Sequence, residues 1–309
     1  MRCRTVVGAR GGGHDRRVRT GRTDTAYVSG GRWLGFRLWS GHGTPVVLVH
    51  GLLDCALGWE PYAQRTSRRL VAVDLPGLGD SDPPRRPRLS AYADDVIEAL
   101  DQIAVRRFVA VGHSLGGGVA AAMADQAPTR VAGLVLIAPV GFGRVPTARA
   151  FEMPGVSHAV RVALPLALGN RIAASTIYRM VVANGAQPDG ELLEHVRNSA
   201  ARRRAGIWAA NRAIAEAGDS ERAFARRGID YDGRVEVLWG RADRLVPVGH
   251  AEGVRAALPQ ARITIQDHMG HYPQGECPEL LARFIEGALA RIEGPRRSTA
   301  RRPKHAAGA

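Results

Sequence analysis

Phe108-Val109-Ala110-Val111-Gly112-His113-Ser114-Leu115-Gly116-Gly117-Gly118 reads as a short apolar strand, a sharp turn and the opening of a helix that continues through Val119-Ala120-Ala121-Ala122-Met123. A serine at the tip of such a turn is pushed out above the sheet. Glycines on both sides of it let the backbone bend tightly and bring strand and helix close together. The Leu115 amide then lies at a helix N-terminus, where unpaired N–H groups and the helix dipole favour negative charge. A hydroxyl beside an anion site is the equipment of acyl transfer. In a glycine-rich chain the Gly-x-Ser-x-Gly spacing is weak by itself, so its meaning depends on the segments around it.

Upstream, Val46-Val47-Leu48-Val49 and Leu70-Val71-Ala72-Val73-Asp74 are continuous apolar runs. Such runs belong to strands of a parallel sheet covered on both faces. Ala26 to Trp39, broken by Gly30-Gly31, predicts an antiparallel hairpin at the sheet edge. Ser90 is expected to cap a helix whose apolar residues are Val96, Ile97, Leu100 and Ile103. Downstream, Val131 to Ile137, Val235 to Trp239 and Ile263 to Ile265 are further strands. A helix from about Pro278 to Ile292 closes the fold. Strand, helix and strand in repetition predict an α/β fold with a doubly wound, mostly parallel sheet. From Gly141 to about Gly228 strand signals vanish, and short helical patterns appear between Pro154, Pro165, Gly185, Pro188 and Gly218. A helical insertion before the last two strands is expected to sit over the sheet's C-terminal edge as a cap.

Loops at the C-terminal ends of parallel strands line the ligand crevice. Three of them carry chemistry in the order serine, aspartate, histidine: Ser114, Asp243 after the strand ending at Trp239, and His268 or His271 after the last strand. A neutral serine is a poor nucleophile, so an imidazole must take its proton. A carboxylate must hold that imidazole in one tautomer, and two amides must face the oxyanion that forms. Gly51 permits a tight turn that aims the Leu52 amide inward. His50 reads as a strand-end imidazole bonded to backbone. Asp54 reads as a cap or loop residue, and Asp74, Asp80 and Asp82 as turn and cap residues in preference to a metal site.

Composition bounds the rest. The chain has 309 residues with a formal charge of +14, and 45% of them are hydrophobic. Residues 1–24 and 295–309 each supply +5 of that charge, so the basic character belongs mainly to two tails, both expected to be disordered. Between them lies one domain, 25–294, with its helical cap at about 141–228. Lys304 is the only lysine, which points to a base-composition bias towards arginine. Cys3, Cys55 and Cys277 form neither a disulfide framework nor a metal spacing, and predict reduced thiols in a cytoplasmic protein. Arg16-Arg17 is followed by no apolar segment, so it is no twin-arginine signal. The run from Ala159 to Leu168, broken by Arg161 and Pro165, is too short to span a membrane. Arginine-rich tails attract phosphate unspecifically, yet no nucleic-acid reading motif is present.

Taken together, several of these pieces resemble the α/β-hydrolase superfamily, in its capped single-domain branch, over about residues 26–292. They are His50-Gly51, Asp74-Leu75-Pro76-Gly77-Leu78-Gly79-Asp80-Ser81, Gly112-His113-Ser114-Leu115-Gly116-Gly117, Gly240-Arg241-Ala242-Asp243, and Gly270-His271 with Glu276 and Pro278 behind it. The resemblance implies Ser114 as nucleophile, His271 as base, Asp243 as acid, and the Leu52 and Leu115 amides as oxyanion hole. His271 is preferred over His268 because the family's histidine follows a glycine. The alternative acid position, after Ile137, holds Ala138, Pro139, Val140 and Gly141 and no carboxylate. Ser114 stands where related dehalogenases and epoxide hydrolases have aspartate. The implied activity is hydrolysis of a carboxylic ester (EC 3.1.1) or related acyl substrate, apolar and small, with no cofactor and no metal. An acyltransferase, a perhydrolase or a small-molecule receptor on the same fold is the alternative.

Overall fold

Val46, Val47, Leu48 and Val49 are all fully buried, yet alternate residues face opposite ways. Val46 and Leu48 join one hydrophobic cluster and Val47 and Val49 join another. A strand whose two faces are both apolar must be covered on both, and the centre of the sheet is. The computed structural model describes residues 21–295, apart from 29, 154, 157–162, 164–165, 168, 183–189, 191–193, 195–203 and 220–222. Cys3, Arg16-Arg17, residues 296–309 and most of the Ala159 to Leu168 run lie outside the described residues.

Eight strands form one sheet: β1 (Arg22–Val28), β2 (Arg32–Trp39), β3 (His42–Val49), β4 (Arg68–Val73), β5 (Phe108–His113), β6 (Val131–Ile137), β7 (Val235–Gly240) and β8 (Arg262–Gln266). Their spatial order is β1-β2-β4-β3-β5-β6-β7-β8. β1 and β2 make the antiparallel edge hairpin, β2 pairs antiparallel with β4, and every pairing from β4 to β8 is parallel. β1 starts at Arg22, three residues inside the segment expected to be disordered. Pairing of Arg22 with Leu38 and of Asp24 with Phe36 extends the hairpin that far.

One face is covered by α1 (Leu89–Gln102), α2 (Leu115–Gln126) and α7 (Ala251–Ala257). Buried Leu89, Tyr92, Ala93, Val96, Ala99 and Leu100 follow the three-and-four spacing of one helical stripe. The other face is covered by α8 (Pro278–Glu293), through Leu281, Ile285, Ala288 and Leu289, and by Trp59 and Tyr62 of two short turns. α1 opens two residues earlier than expected. Arg88 is its N-cap without a side-chain capping bond, so Ser90 lies inside the first turn and does not cap it. The Arg32 guanidinium grips Asp95 of α1 with two hydrogen bonds of 2.7 and 2.6 Å and ties the hairpin to that helix.

Between β6 and β7 lie α3 (Pro146–Glu152), α4 (Arg171–Val181), α5 (Arg204–Asp219) and the short α6 (Phe224–Arg227). α5 anchors the group: Ile207, Ala210, Ala213 and Ile214 are buried in the first cluster. Its Asn211 amide donates to the Ala148 carbonyl and to Glu152, fastening α3 to α5.

Candidate active site

Because β3, β5, β7 and β8 are parallel, their C-terminal ends share one rim. The loops following them carry Leu52, Ser114, Asp243 and His271. The turn after β5 is the most constrained. Ser114 has φ +53° and ψ −116°, a region that costs a non-glycine residue about 1–3 kcal/mol. Its backbone is held there on both sides. The Ser114 N–H donates to the Ile137 carbonyl at 2.9 Å, and its carbonyl accepts from Val140 at 3.1 Å and Gly118 at 3.2 Å. A Cβ at Gly112 would run into the Gly116 carbonyl, and one at Gly116 into the Val49 carbonyl. Those two glycines therefore let α2 approach β3 and β5 closely enough for the turn to close.

Ser114 Oγ lies 2.9 Å from His271 Nε2, and His271 Nδ1 lies 2.7 Å from Asp243 Oδ2. A carboxylate only accepts, so Nδ1 carries the proton and Nε2 is left as the acceptor facing the hydroxyl. The other Asp243 oxygen accepts from the Leu245 and Val246 amides, both at 2.9 Å, which fixes the carboxylate's rotation. All three side chains are buried, at 5–7% exposure. His268 is exposed beside Asp267 and takes no part in this chain of bonds. The histidine placed against Ser114 is the one that a glycine precedes.

The Leu115 amide opens α2, in the first turn, where an N–H has no partner four residues back. Leu52 follows Gly51, whose Cα packs against His113 and Ser114. The loop ends on Leu53 at φ +65° and on an Asp54 N–H bonded to the Gly51 carbonyl. His50 fulfils the backbone role read for it. Its Nε2 accepts from the Leu75 amide at 3.0 Å and its Nδ1 donates to the Gly51 carbonyl at 2.8 Å. The aspartates after β4 are likewise turn ligands: Asp74 accepts from Ala56 and Asp80 amides, and Asp82 from Trp33.

Asp54 departs from an ordinary loop residue. It is buried, and burial pushes its carboxyl up to about 7, aided by the charge of Asp74. Bonds from the Cys55 amide at 2.8 Å and the Tyr272 hydroxyl at 3.4 Å pull it partly back. Asp54 thus joins the Leu52 loop to the residue that follows His271. Nothing in the sequence marks that contact, because the two partners stand 218 positions apart.

The fold is that of an α/β hydrolase. The sequence model of the alpha/beta hydrolase fold matches residues 44–278, and the chain belongs to that family. It is similar to a pimeloyl-[acyl-carrier protein] methyl ester esterase of Aromatoleum aromaticum, with 33% identity over 79% of this chain and 97% of the relative. It is also similar to the dihydrolipoyllysine-residue acetyltransferase component of an acetoin cleaving system from Pseudomonas putida, with 32% identity over 80% of this chain and 63% of that protein. Among solved structures, a thermophilic esterase from Thermogutta terrifontis superposes with a TM-score of 0.69 at 26% identity, covering 89% of this chain and all of that one. Esterases and other hydrolases thus stand among its relatives. Among the described residues no helix is long and apolar enough to cross a membrane.

Proposed function

We propose that the protein is a serine hydrolase that cleaves a carboxylic ester or related acyl substrate through an acyl-enzyme, with Ser114 as nucleophile, His271 as general base and Asp243 as its orienting acid. One observation carries the reading: the unbroken hydrogen-bond chain from Asp243 through His271 to a serine held at φ +53°. In the first step Ser114 Oγ attacks the acyl carbon while its proton passes to His271 Nε2. The imidazolium so formed is stabilised by Asp243. The Leu52 and Leu115 amides receive the oxyanion, and the α2 dipole adds to its stabilisation. Collapse expels the alcohol, which leaves with the proton from His271. Water then enters, gives a proton to His271, and releases the acid from Ser114.

The helices between β6 and β7 serve in this reading as the cap that selects the substrate, and their apolar content suits an apolar acyl or ring group. Similarity to esterases supports hydrolysis. Similarity to an acetyltransferase component keeps acyl transfer as the second reading, because both would proceed through the same acyl-Ser114. Turnover of a p-nitrophenyl ester series tests the proposal, with the released acid partitioned against ester formed in the presence of an added alcohol. Free acid as the main product is expected. Predominant transfer to the alcohol selects acyltransferase, and no turnover of any ester, lactone or aryl ester removes the enzymatic reading in favour of a ligand receptor.

A further inference from the structure

His271 is gripped by more than its ring. The His113 Nε2 lies 2.7 Å from the His271 carbonyl oxygen, a buried contact between residues 158 positions apart. On either side of the same residue, the Gly270 amide donates to Glu276 Oε2 at 2.8 Å and the Tyr272 amide to Glu276 Oε1 at 2.9 Å. A carbonyl only accepts, so His113 must carry its proton on Nε2. Its Nδ1 is then a bare lone pair; it is buried beside Gly51 with no hydrogen-bond partner among the described residues. Protonating it would bury an unpaired N–H and a charge. Burial accordingly holds His113 well below the ordinary imidazole range, and the neighbouring His271 pushes the same way. The two rings are 5.0 Å apart, and the His271 ring is bonded to Asp243.

We propose that His113 is a positioning residue for His271: the dipeptide His113-Ser114 holds the base at both ends, the serine hydroxyl at its ring and the His113 imidazole at its backbone carbonyl, while Glu276 fixes the two flanking amides. This rests on His271 being the base. The physical point is registration. The serine is placed by the β5–α2 turn, but the base arrives on a loop that leaves β8 at Gln266 and reaches His271 five residues later, through Gly270. A hydrogen bond from the residue adjoining the nucleophile ties that loop to the turn itself, so any drift of β5 carries the base along. A displacement of about 1 Å between reacting groups costs up to about 100-fold in rate, whereas ground-state binding of substrate need not change.

The test compares His113→Gln with His113→Asn. A glutamine amide nitrogen reaches the place of the histidine Nε2, while an asparagine amide reaches only that of Nδ1. Steady-state kinetics with p-nitrophenyl butyrate would be normalised to active sites titrated with a fluorophosphonate, so that only folded enzyme is counted. We expect His113→Asn to lose at least about tenfold in kcat with KM within about twofold, and His113→Gln to recover most of the loss. Glu276→Gln, which can accept only one of the two amides, should also lower kcat more than it raises KM. Equal kcat in the Gln and Asn variants, at any level, overturns the proposal. So does a lowered Tm with unchanged kcat per titrated site, which would make His113 a stability residue only. Ser114→Ala run alongside separates the two levels: if it still takes up the fluorophosphonate and turns over ester, the triad reading falls first.

Discussion

The rim of strand-end loops and the helices between β6 and β7 are built on opposite principles. On the rim, Ser114, Asp243 and His271 sit one, three and five residues past the ends of parallel strands, and backbone or side-chain hydrogen bonds hold each in place. In the insertion, α5 alone buries a continuous apolar stripe among the described residues. The large apolar side chains of Met153, Val156, Leu166 and Ile172 are instead exposed, Ile172 by 77%. A sheet dictates where its loops begin, so the chemistry is fixed by the core. The insertion is anchored chiefly through α5 and leaves apolar surface outward, and under the proposed function it is the part that varies what the site accepts. The difference teaches where to look for mechanism and where for specificity.

The largest effects should come from the rim. His271→Ala and Asp243→Asn are expected to lower kcat by about 10³-fold or more with Tm near the wild-type value, since each removes a member of a cooperative unit. His268→Ala should stay within about threefold. Full activity in His271→Ala would break the comparison at its stronger side.

An intermediate effect is expected at Asp54, beneath the rim. Its folded-state value of about 7 stands above its ordinary 3.8, so the folded protein holds a proton that the unfolded chain has already released between those values. The associated stability is complete below about pH 4 and is lost as pH rises through about 7. Asp54→Asn keeps an acceptor for the Cys55 amide and offers a donor to the Tyr272 oxygen. It should raise stability at pH 8, where a charge is otherwise buried, by about a few kcal/mol at most, and leave Tm near pH 4 little changed. Thermal melts of both proteins from pH 4 to 9 check this; parallel curves would contradict it.

The smallest effect on stability is expected in the insertion. Leu166→Ser and Ile172→Ser remove exposed side chains, so stability should change by no more than about 0.5 kcal/mol. If these helices select the substrate, KM for an octanoate ester should nevertheless move severalfold against KM for an acetate ester. An unchanged chain-length profile would leave the insertion without a role in selection.

The parts legible in the sequence are those governed by the sheet. Val131–Ile137 is a strand with the ends its apolar run marks, and the Gly270-His271 pair separates the buried histidine from exposed His268. What escaped was long-range or local in a subtle way. Ser90 looks like a helix cap, but Leu89 is buried in the core as the first helical residue, and the helix starts two residues earlier. The hairpin reaches back to Arg22 because cross-strand pairing, invisible in a single segment's composition, orders residues too polar to declare a strand. His113 and Asp54 meet partners 158 and 218 positions away in the sequence, and no spacing rule reaches that far. Glu276 stood in a recognisable motif, yet its bonds to the amides flanking His271 follow only from the turn that brings it back.

The most direct test of the account is the site of covalent capture. The wild-type protein would be incubated with a fluorophosphonate, its intact mass measured, and the modified peptide sequenced. One adduct per chain, located on Ser114 and absent from Ser114→Ala, is the result expected of a serine activated by His271 and Asp243. An unmodified wild-type protein, or an adduct that persists in Ser114→Ala at the wild-type rate, would contradict it.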